Sequence, residues 1–306
     1  MSEKDLNKKD IRNFWNKAPC GTKTTHEMEG TKEFFEEIEE YRYKEEACIL
    51  KAVGFEKYKG KKILEVGCGI GTDLSQFAKN GGIVYGIDLT SKGINLAKIR
   101  CNIFKLDADL MVADAENLPF KDNFFDLVYS SGVLHHTPNT HNAINEIYRV
   151  LKPKGNTIVM LYHKSSVNYY INIMIIARLM LKLIRHKRGL QIVNCLAKLQ
   201  PNLLLNIELI KQYQELSNKN PNLSNKVLLN NTTDGPCNPL SKVYTQKEVK
   251  NIFKKYENIK TEVYYLGKIP IIGVFIPRFL SELVGRRFGW FLYIKANKRD
   301  TNCYNL

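Results

Sequence analysis

The heptapeptide EVGCGIG, from Glu65 to Gly71, is the clearest structural signal in the chain. The apolar run that leads into it, Lys62 to Val66, is typical of a short buried strand, and the segment that starts at Thr72 is typical of a helix. Three glycines at alternate positions allow a sharp turn and a close approach of a ligand to backbone amides at a helix N-terminus. A dinucleotide fingerprint would need glycine in place of Thr72, so the spacing favours a ligand without a pyrophosphate.

Predicted strands and helices alternate on both sides of this turn. The strands are predicted at Lys62–Val66, Ile83–Ile87, Met111–Ala113, Phe124–Tyr129, Thr157–Tyr162, Lys260–Leu266 and Trp290–Lys295. Helices are predicted at Thr31–Ala52, Thr72–Lys79, Ser91–Phe104, His141–Leu151 and Thr245–Tyr256. This alternation predicts an α/β fold with a seven-stranded, mostly parallel sheet and helices on both faces.

The pattern divides the chain into four parts. We expect an N-terminal helical lid segment at 1–58, a ligand-binding core at 59–164, a mostly helical insertion at 165–241 and the last part of the core sheet at 242–306. The insertion leaves from the carboxyl end of the fifth predicted strand, where ligands bind in such sheets. It is therefore expected to lie over the ligand site.

Composition limits the class of protein. The chain has 306 residues, 44% of them hydrophobic, and a formal net charge of +15, which indicates a folded globular protein with a basic surface. The basic residues are spread along the chain rather than clustered, which disfavours a nucleic-acid site without excluding one. The seven cysteines form no closely spaced pair, so we expect thiols and no bound metal.

Two segments bear on localisation. Met1 to Asp10 lacks the apolar core of a secretory signal, so we expect a cytoplasmic protein. The longest apolar stretch, Tyr169 to Ile184, is interrupted by Asn172, Arg178 and Lys182 and is too broken to span a bilayer. We interpret it as a buried lid helix, with peripheral contact to a membrane as the alternative.

Polar residues follow the next predicted strands at positions that suit a nucleoside. Asp88 ends the second strand about 20 residues beyond the glycine turn, where a carboxylate can accept hydrogen bonds from ribose hydroxyls. Asp114 and the Ala115 amide follow the third strand and can recognise the edge of a base. Ser130 and Ser131 follow the fourth strand. Carboxyl ends of neighbouring parallel strands converge, so these segments predict one site.

These segments, with the string Ile147 to Pro153, resemble the class I S-adenosylmethionine-dependent methyltransferases. The resemblance covers Gly60 to Tyr162 and is greatest to the small-molecule branch that includes the ubiquinone and menaquinone biosynthesis enzymes. It implies a Rossmann-like fold, S-adenosylmethionine as cofactor and a small-molecule acceptor that could be hydrophobic or lipid-like. An RNA methyltransferase and a non-catalytic cofactor-binding partner protein remain alternatives.

The resemblance also assigns roles to individual residues. It implies that the glycine turn, with Gly67, Gly69, Gly71 and Thr72, holds the methionine part of the cofactor, and that Glu65 organises the turn. It places Asp88 at the ribose, Leu89 beside the adenine, Asp114 and Ala115 at the adenine edge, and Ser130 and Ser131 at the sulfonium.

The acceptor site is predicted from position. A hydroxyl or ammonium acceptor needs a base, and His135 and His136 directly follow the fourth strand, near the expected methyl group. Tyr162 and His163 follow the fifth strand. Trp15 lies in the string FWNKAPCGT, which is similar to an N-terminal segment of a bacterial subgroup of these enzymes, and Tyr43 lies in the first long predicted helix. We expect these four residues to enclose the acceptor.

Overall fold

A computed structural model describes residues 8–199, 207–266 and 278–300. The helices are α1 (Lys8–Lys17), α2 (Lys32–Glu45), α3 (Cys48–Val53), α4 (Thr72–Lys79), α5 (Ser91–Phe104), α6 (Thr140–Val150), α7 (Arg178–Leu183), α8 (Lys187–Leu199), α9 (Ile207–Lys219), α10 (Asn225–Thr232), α11 (Gln246–Ile252) and α12 (Arg278–Phe288). The strands are β1 (Lys62–Val66), β2 (Ile83–Asp88), β3 (Ala108–Val112), β4 (Phe125–Ser131), β5 (Leu151–Tyr162), β6 (Glu257–Tyr264) and β7 (Phe291–Asn297). The expectations for Met1 to Asn7 and for Cys303 lie outside the described residues.

The strands form one seven-stranded sheet in the order β3-β2-β1-β4-β5-β7-β6. Strands β1 to β5 are parallel, and β7 runs antiparallel to both β5 and β6. The predicted fold class is confirmed. The chain proceeds outward in one direction from β1 to β3 and in the other from β4, so the switch point lies between β1 and β4.

Both faces of the sheet are covered, as its apolar strands require. Neighbouring residues of β1 enter different hydrophobic clusters: Ile63 packs in the cluster that contains Phe77 and Tyr129, whereas Leu64 packs in the cluster that contains Ile144. Because side chains alternate along a strand, the two clusters lie on opposite faces. Burial on both faces fixes the carboxyl ends of β1 to β5 in place.

Several element boundaries differ from the prediction, and one helix was missed. The helix predicted at Thr31–Ala52 begins as expected, with the Thr31 hydroxyl accepting from the Phe34 amide, but it breaks after Glu45, which lets α3 bury Ile49. The fifth strand begins at Leu151, because the Lys152 to Gly155 segment forms an irregularity within the β4–β5 pairing rather than a loop before the strand. Helix α12 was not predicted.

The insertion contains a π-helix, Asn168–Ala177, followed by α7 to α10. Tyr169, Ile173 and Leu181 are buried against the core cluster that contains Trp290. Within the described ranges, no helix is both long and apolar enough to cross a membrane.

Candidate active site

A cavity of about 450 Å³ opens at the carboxyl ends of the parallel strands, at the switch point of the sheet. Its walls come from the loops after β1, β2, β3 and β4, the end of β5, helices α1 and α2, and the loop after α10. Its size is within the range of small-molecule and cofactor sites.

The glycine turn forms the floor of this cavity. Gly67 has a φ of 78°, and a Cβ there would lie 2.2 Å from Cγ2 of Val133. Gly69 has a φ of 52°, but a Cβ there would meet nothing within 4 Å, because the residue faces the open cavity. Gly67 is therefore required by packing against the chain itself, and Gly69 by backbone conformation and by space for a ligand.

Asp88 lies at the end of β2 and fixes the same turn. Its Oδ2 accepts a hydrogen bond of 2.9 Å from the Gly69 amide, and its Oδ1 accepts from the Thr90 amide at 2.8 Å. Burial raises the pKa of Asp88, while the donated hydrogen bonds oppose the rise. Each carboxylate oxygen can accept more than one hydrogen bond, so Asp88 can bind the turn and a ligand at the same time.

Glu65 is buried beneath the turn, with 4% of its surface exposed. Its Oε2 has no hydrogen-bond partner within the described part of the chain, although the residue lines the cavity. Burial, together with the nearby Asp73, raises the pKa of Glu65 well above its usual value. An unpaired buried carboxylate is costly, and a cationic ligand group in the cavity would remove that cost.

Asp73, at the start of α4, joins three elements. It accepts hydrogen bonds from Arg42 Nε at 2.8 Å, Tyr43 Oη at 2.9 Å and Tyr129 Oη at 2.8 Å. Burial acts to raise the pKa of Asp73, but the Arg42 guanidinium and these hydrogen bonds hold it below the usual value. The Tyr43 side chain therefore points toward Asp73 and, contrary to the prediction, is not among the described residues that line the cavity. Arg42 was not predicted, because nothing in the sequence distinguishes it from Lys32 and Lys44 of the same helix.

Asp114 and Ala115 line the cavity after β3. Asp114 is not open, because Lys8 of α1 forms ion pairs with its Oδ2 and, at 2.8 Å, with Oε2 of Glu116. Sequence analysis did not identify Lys8, since α1 is 106 residues away along the chain. A base edge can reach Asp114 only if it shares this carboxylate with Lys8 or displaces it.

His136 and His135 occupy different environments. His136 is 4% exposed and lines the cavity, and its Nδ1 donates to the Leu240 carbonyl at 2.6 Å. Because a carbonyl only accepts, Nδ1 carries the proton and Nε2 faces Oδ2 of Asp234 at 3.5 Å. His135 is fully buried under the Tyr162 ring, with 3.7 Å between the ring centroids. It is not among the described residues that line the cavity. Burial, with His136 alongside, lowers the pKa of His135 well below its usual value.

Tyr162 closes the far side of the cavity. Its hydroxyl donates to Oδ1 of Asp234 at 2.8 Å, and its ring stacks on Trp290 at 4.4 Å. Asp234 follows α10 in the insertion. It was not predicted as a site residue, because the sequence Asp-Gly-Pro indicates only a turn. His163 points elsewhere, with its Nδ1 donating to the Gly289 carbonyl at 3.0 Å.

Most of the predicted residues therefore meet in one place. Those that line the cavity are Trp15, Glu65, Gly67, Gly69, Thr72, Asp88, Leu89, Asp114, Ala115, Ser131, His136 and Tyr162. Those outside its described lining are Tyr43, Gly71, Ser130, His135 and His163. Ser130 donates to the Val66 carbonyl at 2.9 Å and is fully buried.

Comparison with known proteins decides the family of this domain. Residues 64–159 match the family described as "Methyltransferase domain". The chain carries a class I methyltransferase domain. S-adenosylmethionine is the cofactor of this type of domain, and the unpartnered Glu65 oxygen fits its positively charged methionine end. The resemblance seen in the sequence is confirmed at this level.

The chain is similar to curated methyltransferases over part of its length. It is 36% identical over 124 residues to phosphoethanolamine N-methyltransferase 2 of Caenorhabditis elegans, covering 40% of this chain and 28% of that protein. It is 39% identical over 99 residues to fatty-acid O-methyltransferase of Mycolicibacterium smegmatis, covering 32% and 35%. The chain thus spans about a third of the length of these relatives. Neither name points to quinone biosynthesis, so that narrower resemblance stays a prediction.

The fold is shared more widely than the sequence. The crystal structure of magnesium protoporphyrin IX methyltransferase from Synechocystis PCC 6803, with bound SAH, aligns with a TM-score of 0.52 at 12% identity, covering 95% of this chain and 100% of that one. At this identity the likeness concerns the methyltransferase fold alone.

Proposed function

We propose that this protein transfers a methyl group from S-adenosylmethionine to a small-molecule acceptor. One observation carries the proposal: a continuous cavity joins the glycine turn and Asp88 to a second polar group made by His136, Tyr162 and Asp234. A site that only stored the cofactor would not need this second group. This also argues against the alternative of a non-catalytic partner protein.

The residues that would hold the cofactor follow from the cavity lining. The glycine turn and Glu65 would hold the methionine end, Asp88 the ribose, and Asp114 with the Ala115 amide the adenine. When bound, the cofactor supplies a methyl group activated by the sulfonium. The protein then contributes mainly alignment and exclusion of water.

His136 is the proton acceptor in this proposal. Its Nδ1 is fixed by the Leu240 carbonyl, so Nε2, on the side of Asp234, is the nitrogen left for the acceptor, and the ring lines the cavity. Trp15 of α1 lies 5.2 Å from the imidazole, centroid to centroid, and holds the ring from the solvent side. His135 is no longer part of the proposal because it does not line the cavity, and its buried ring instead supports Tyr162.

The acceptor is proposed to have a hydrophobic, lipid-like part. Met160, Tyr265, Trp290 and Phe291 line the cavity beyond the cofactor segments and give it an apolar wall. By name, one relative acts on fatty acids, and cycloartenol-C-24-methyltransferase of Arabidopsis thaliana, 36% identical over 97 residues, acts on cycloartenol. RNA is disfavoured as the acceptor, because the cavity wall is rich in carboxylates that would repel phosphates.

We also propose that the insertion contacts an anionic membrane surface. Four apolar side chains spaced four or five residues apart are 38–61% exposed along the π-helix and α7: Tyr170, Ile175, Leu179 and Leu183. The sequence from Ser165 to Leu199 contains no aspartate or glutamate but has Arg178, Lys182, Arg185, Lys187, Arg188 and Lys198. An exposed apolar stripe among basic residues suits anionic lipid headgroups.

The proposed cofactor site is tested by calorimetry with S-adenosylhomocysteine. Asp88→Ala should weaken binding by about 1.5–3 kcal/mol, the range for a hydrogen bond to a charged group. Asp109→Ala, on the exposed side of β3, is the matched control and should bind like the wild type. Unchanged affinity in Asp88→Ala, or no binding by the wild type, would contradict the proposal. Screening extracts for a cofactor-dependent gain of one methyl would then identify the acceptor.

A further inference from the structure

Three hydrogen-bond acceptors converge at the end of the cavity away from the glycine turn. They are Nε2 of His136, the Asp234 carboxylate and Oη of Tyr162, which donates its own proton to Asp234 and keeps its lone pairs. Nε2 of His136 has no hydrogen-bond partner within the described residues, although the side chain is more than nine-tenths buried. These three side chains can therefore accept hydrogen bonds from a ligand, but none of them donates a hydrogen bond to it.

A ligand with several N–H donors fits this arrangement. A hydroxyl carries one donor and satisfies only one of the three acceptors, whereas a primary ammonium carries three. A carboxylate or phosphate carries none and would face the Asp234 carboxylate directly. Nε2 of His136 is buried and unpaired, and the Asp234 carboxylate, which already accepts from Tyr162 and Asn238, can accept further hydrogen bonds. The arrangement therefore favours the ligand class with the most donors.

The charge of the whole cavity has the same sign as Asp234. Seven carboxylates line it: Glu45, Glu46, Glu65, Asp73, Asp88, Asp114 and Asp234. The cationic side chains in the described lining are Lys8 and Arg42, and each is held by two carboxylates, Lys8 by Asp114 and Glu116 and Arg42 by Asp73 and Glu46. Burial raises the pKa of Glu46, Glu65 and Asp88, but the seven carboxyl groups outnumber the two paired cationic side chains by five, so the lining favours cations.

Aromatic rings surround the three acceptors. The Trp15 ring lies beside His136, Trp290 stacks on Tyr162, and Tyr265 stacks on Phe291 with 4.5 Å between centroids. Ring faces attract cations and also accommodate an apolar body. The combination suits an organic amine better than a free inorganic cation.

We propose that the acceptor is an amine, bound as an ammonium group by Asp234, His136 and Tyr162, with its apolar part against the aromatic wall. This inference rests on the proposed methyl transfer and names its substrate class. Asp234 is the residue that selects the amine by charge, and His136 is positioned to receive a proton from it.

The test compares three probes of one shape by calorimetry on protein saturated with S-adenosylhomocysteine: 2-phenylethylamine, 2-phenylethanol and phenylacetate. The amine should bind at least about tenfold more tightly than the other two, since a charge-assisted hydrogen bond contributes more than a neutral one. Asp234→Asn should remove this preference and leave the affinity for S-adenosylhomocysteine and the melting temperature unchanged. Asp122→Asn, a carboxylate on the surface that is absent from the cavity lining, is the matched control.

The outcomes separate this inference from the proposed function. If the wild type fails to bind S-adenosylhomocysteine, the proposed function is wrong. If it binds the cofactor product but binds the alcohol or the carboxylate as tightly as the amine, or binds no amine, the amine inference alone is overturned. Retention of the amine preference in Asp234→Asn would also overturn it.

Discussion

At the scale of single residues, the orientation of His136 is the feature on which the proposed methyl transfer depends. The Leu240 carbonyl sets the tautomer, and Trp15 and Tyr162 confine the ring. With Nδ1 hydrogen-bonded to the Leu240 carbonyl, Nε2 is the ring nitrogen left to exchange a proton with an acceptor. The neighbouring residue, His135, is fully buried and packs against the Tyr162 ring, so it supports that ring.

Replacing His136 by Ala should lower the turnover number by about 100- to 10,000-fold, the usual contribution of a positioned base. The affinity for S-adenosylhomocysteine should stay unchanged, because the imidazole faces the acceptor end. His141→Ala, on the exposed surface of α6, should behave as wild type in both assays. Normal turnover in His136→Ala would show that proton removal occurs elsewhere, and loss of cofactor affinity would assign His136 to cofactor binding.

At the scale of elements, helix α2 is attached to the core by buried apolar side chains and by ion pairs, of which Arg42–Asp73 lies next to the cavity. Arg42 reaches from α2 to Asp73 on α4, with Nη2 2.6 Å from Oδ2, and the Tyr129 hydroxyl from β4 completes the group. The pair holds together the helix that forms one wall of the cavity and the helix that follows the glycine turn. A shift of the N-terminal lid segment would therefore change the shape of the proposed cofactor site.

Arg42→Met should destabilise the fold at neutral pH by about 3–5 kcal/mol, because it leaves the Asp73 carboxylate buried without its cationic partner. The pKa of Asp73 is lower in the folded state than in the unfolded chain, so the ionised carboxylate stabilises the fold at pH values above its unfolded pKa. This stabilisation is lost as the pH falls through the pKa that Asp73 has in the folded state. The difference between wild type and variant should therefore shrink below about pH 4. Urea unfolding at neutral and acidic pH measures it. Lys44→Met, one exposed position in the same helix, is the control, and an equal loss at both pH values would contradict the ion-pair account.

At the scale of the whole molecule, charge is divided between surface and cavity. The whole chain has a formal net charge of +15, whereas the described cavity lining contains seven carboxyl groups and only two lysine or arginine side chains. The insertion adds an exposed apolar stripe in a stretch that is free of acidic residues. One molecule can thus lie against an anionic bilayer and still admit a cationic group to its interior.

If the insertion contacts an anionic membrane, the protein should bind vesicles that contain both phosphatidylglycerol and phosphatidylcholine. Binding should be weaker to vesicles of phosphatidylcholine alone and weaker in high salt, because each basic residue contributes about 1 kcal/mol near an anionic surface. Ile175→Glu combined with Leu179→Glu should reduce co-sedimentation at least tenfold. Leu50→Glu, an exposed apolar residue on α3, should leave it unchanged. Equal binding by the double variant, or no binding by the wild type, would reject the membrane face.

The sequence alone predicted the sheet and the family, which are confirmed, and the segments proposed to hold the cofactor, since all three depend on local signals. The turn at Gly67 and Gly69 and the acid at Asp88 stand at fixed distances along the chain, and apolar periodicity marks the strands around them. Tertiary structure decided the acceptor end. Asp234, Lys8 and Arg42 reach the cavity from distant segments, and burial rather than spacing separates His136, with a nitrogen facing the cavity, from His135, which is stacked beneath a ring. Periodicity specifies which elements form, but long-range packing sets which side chains meet.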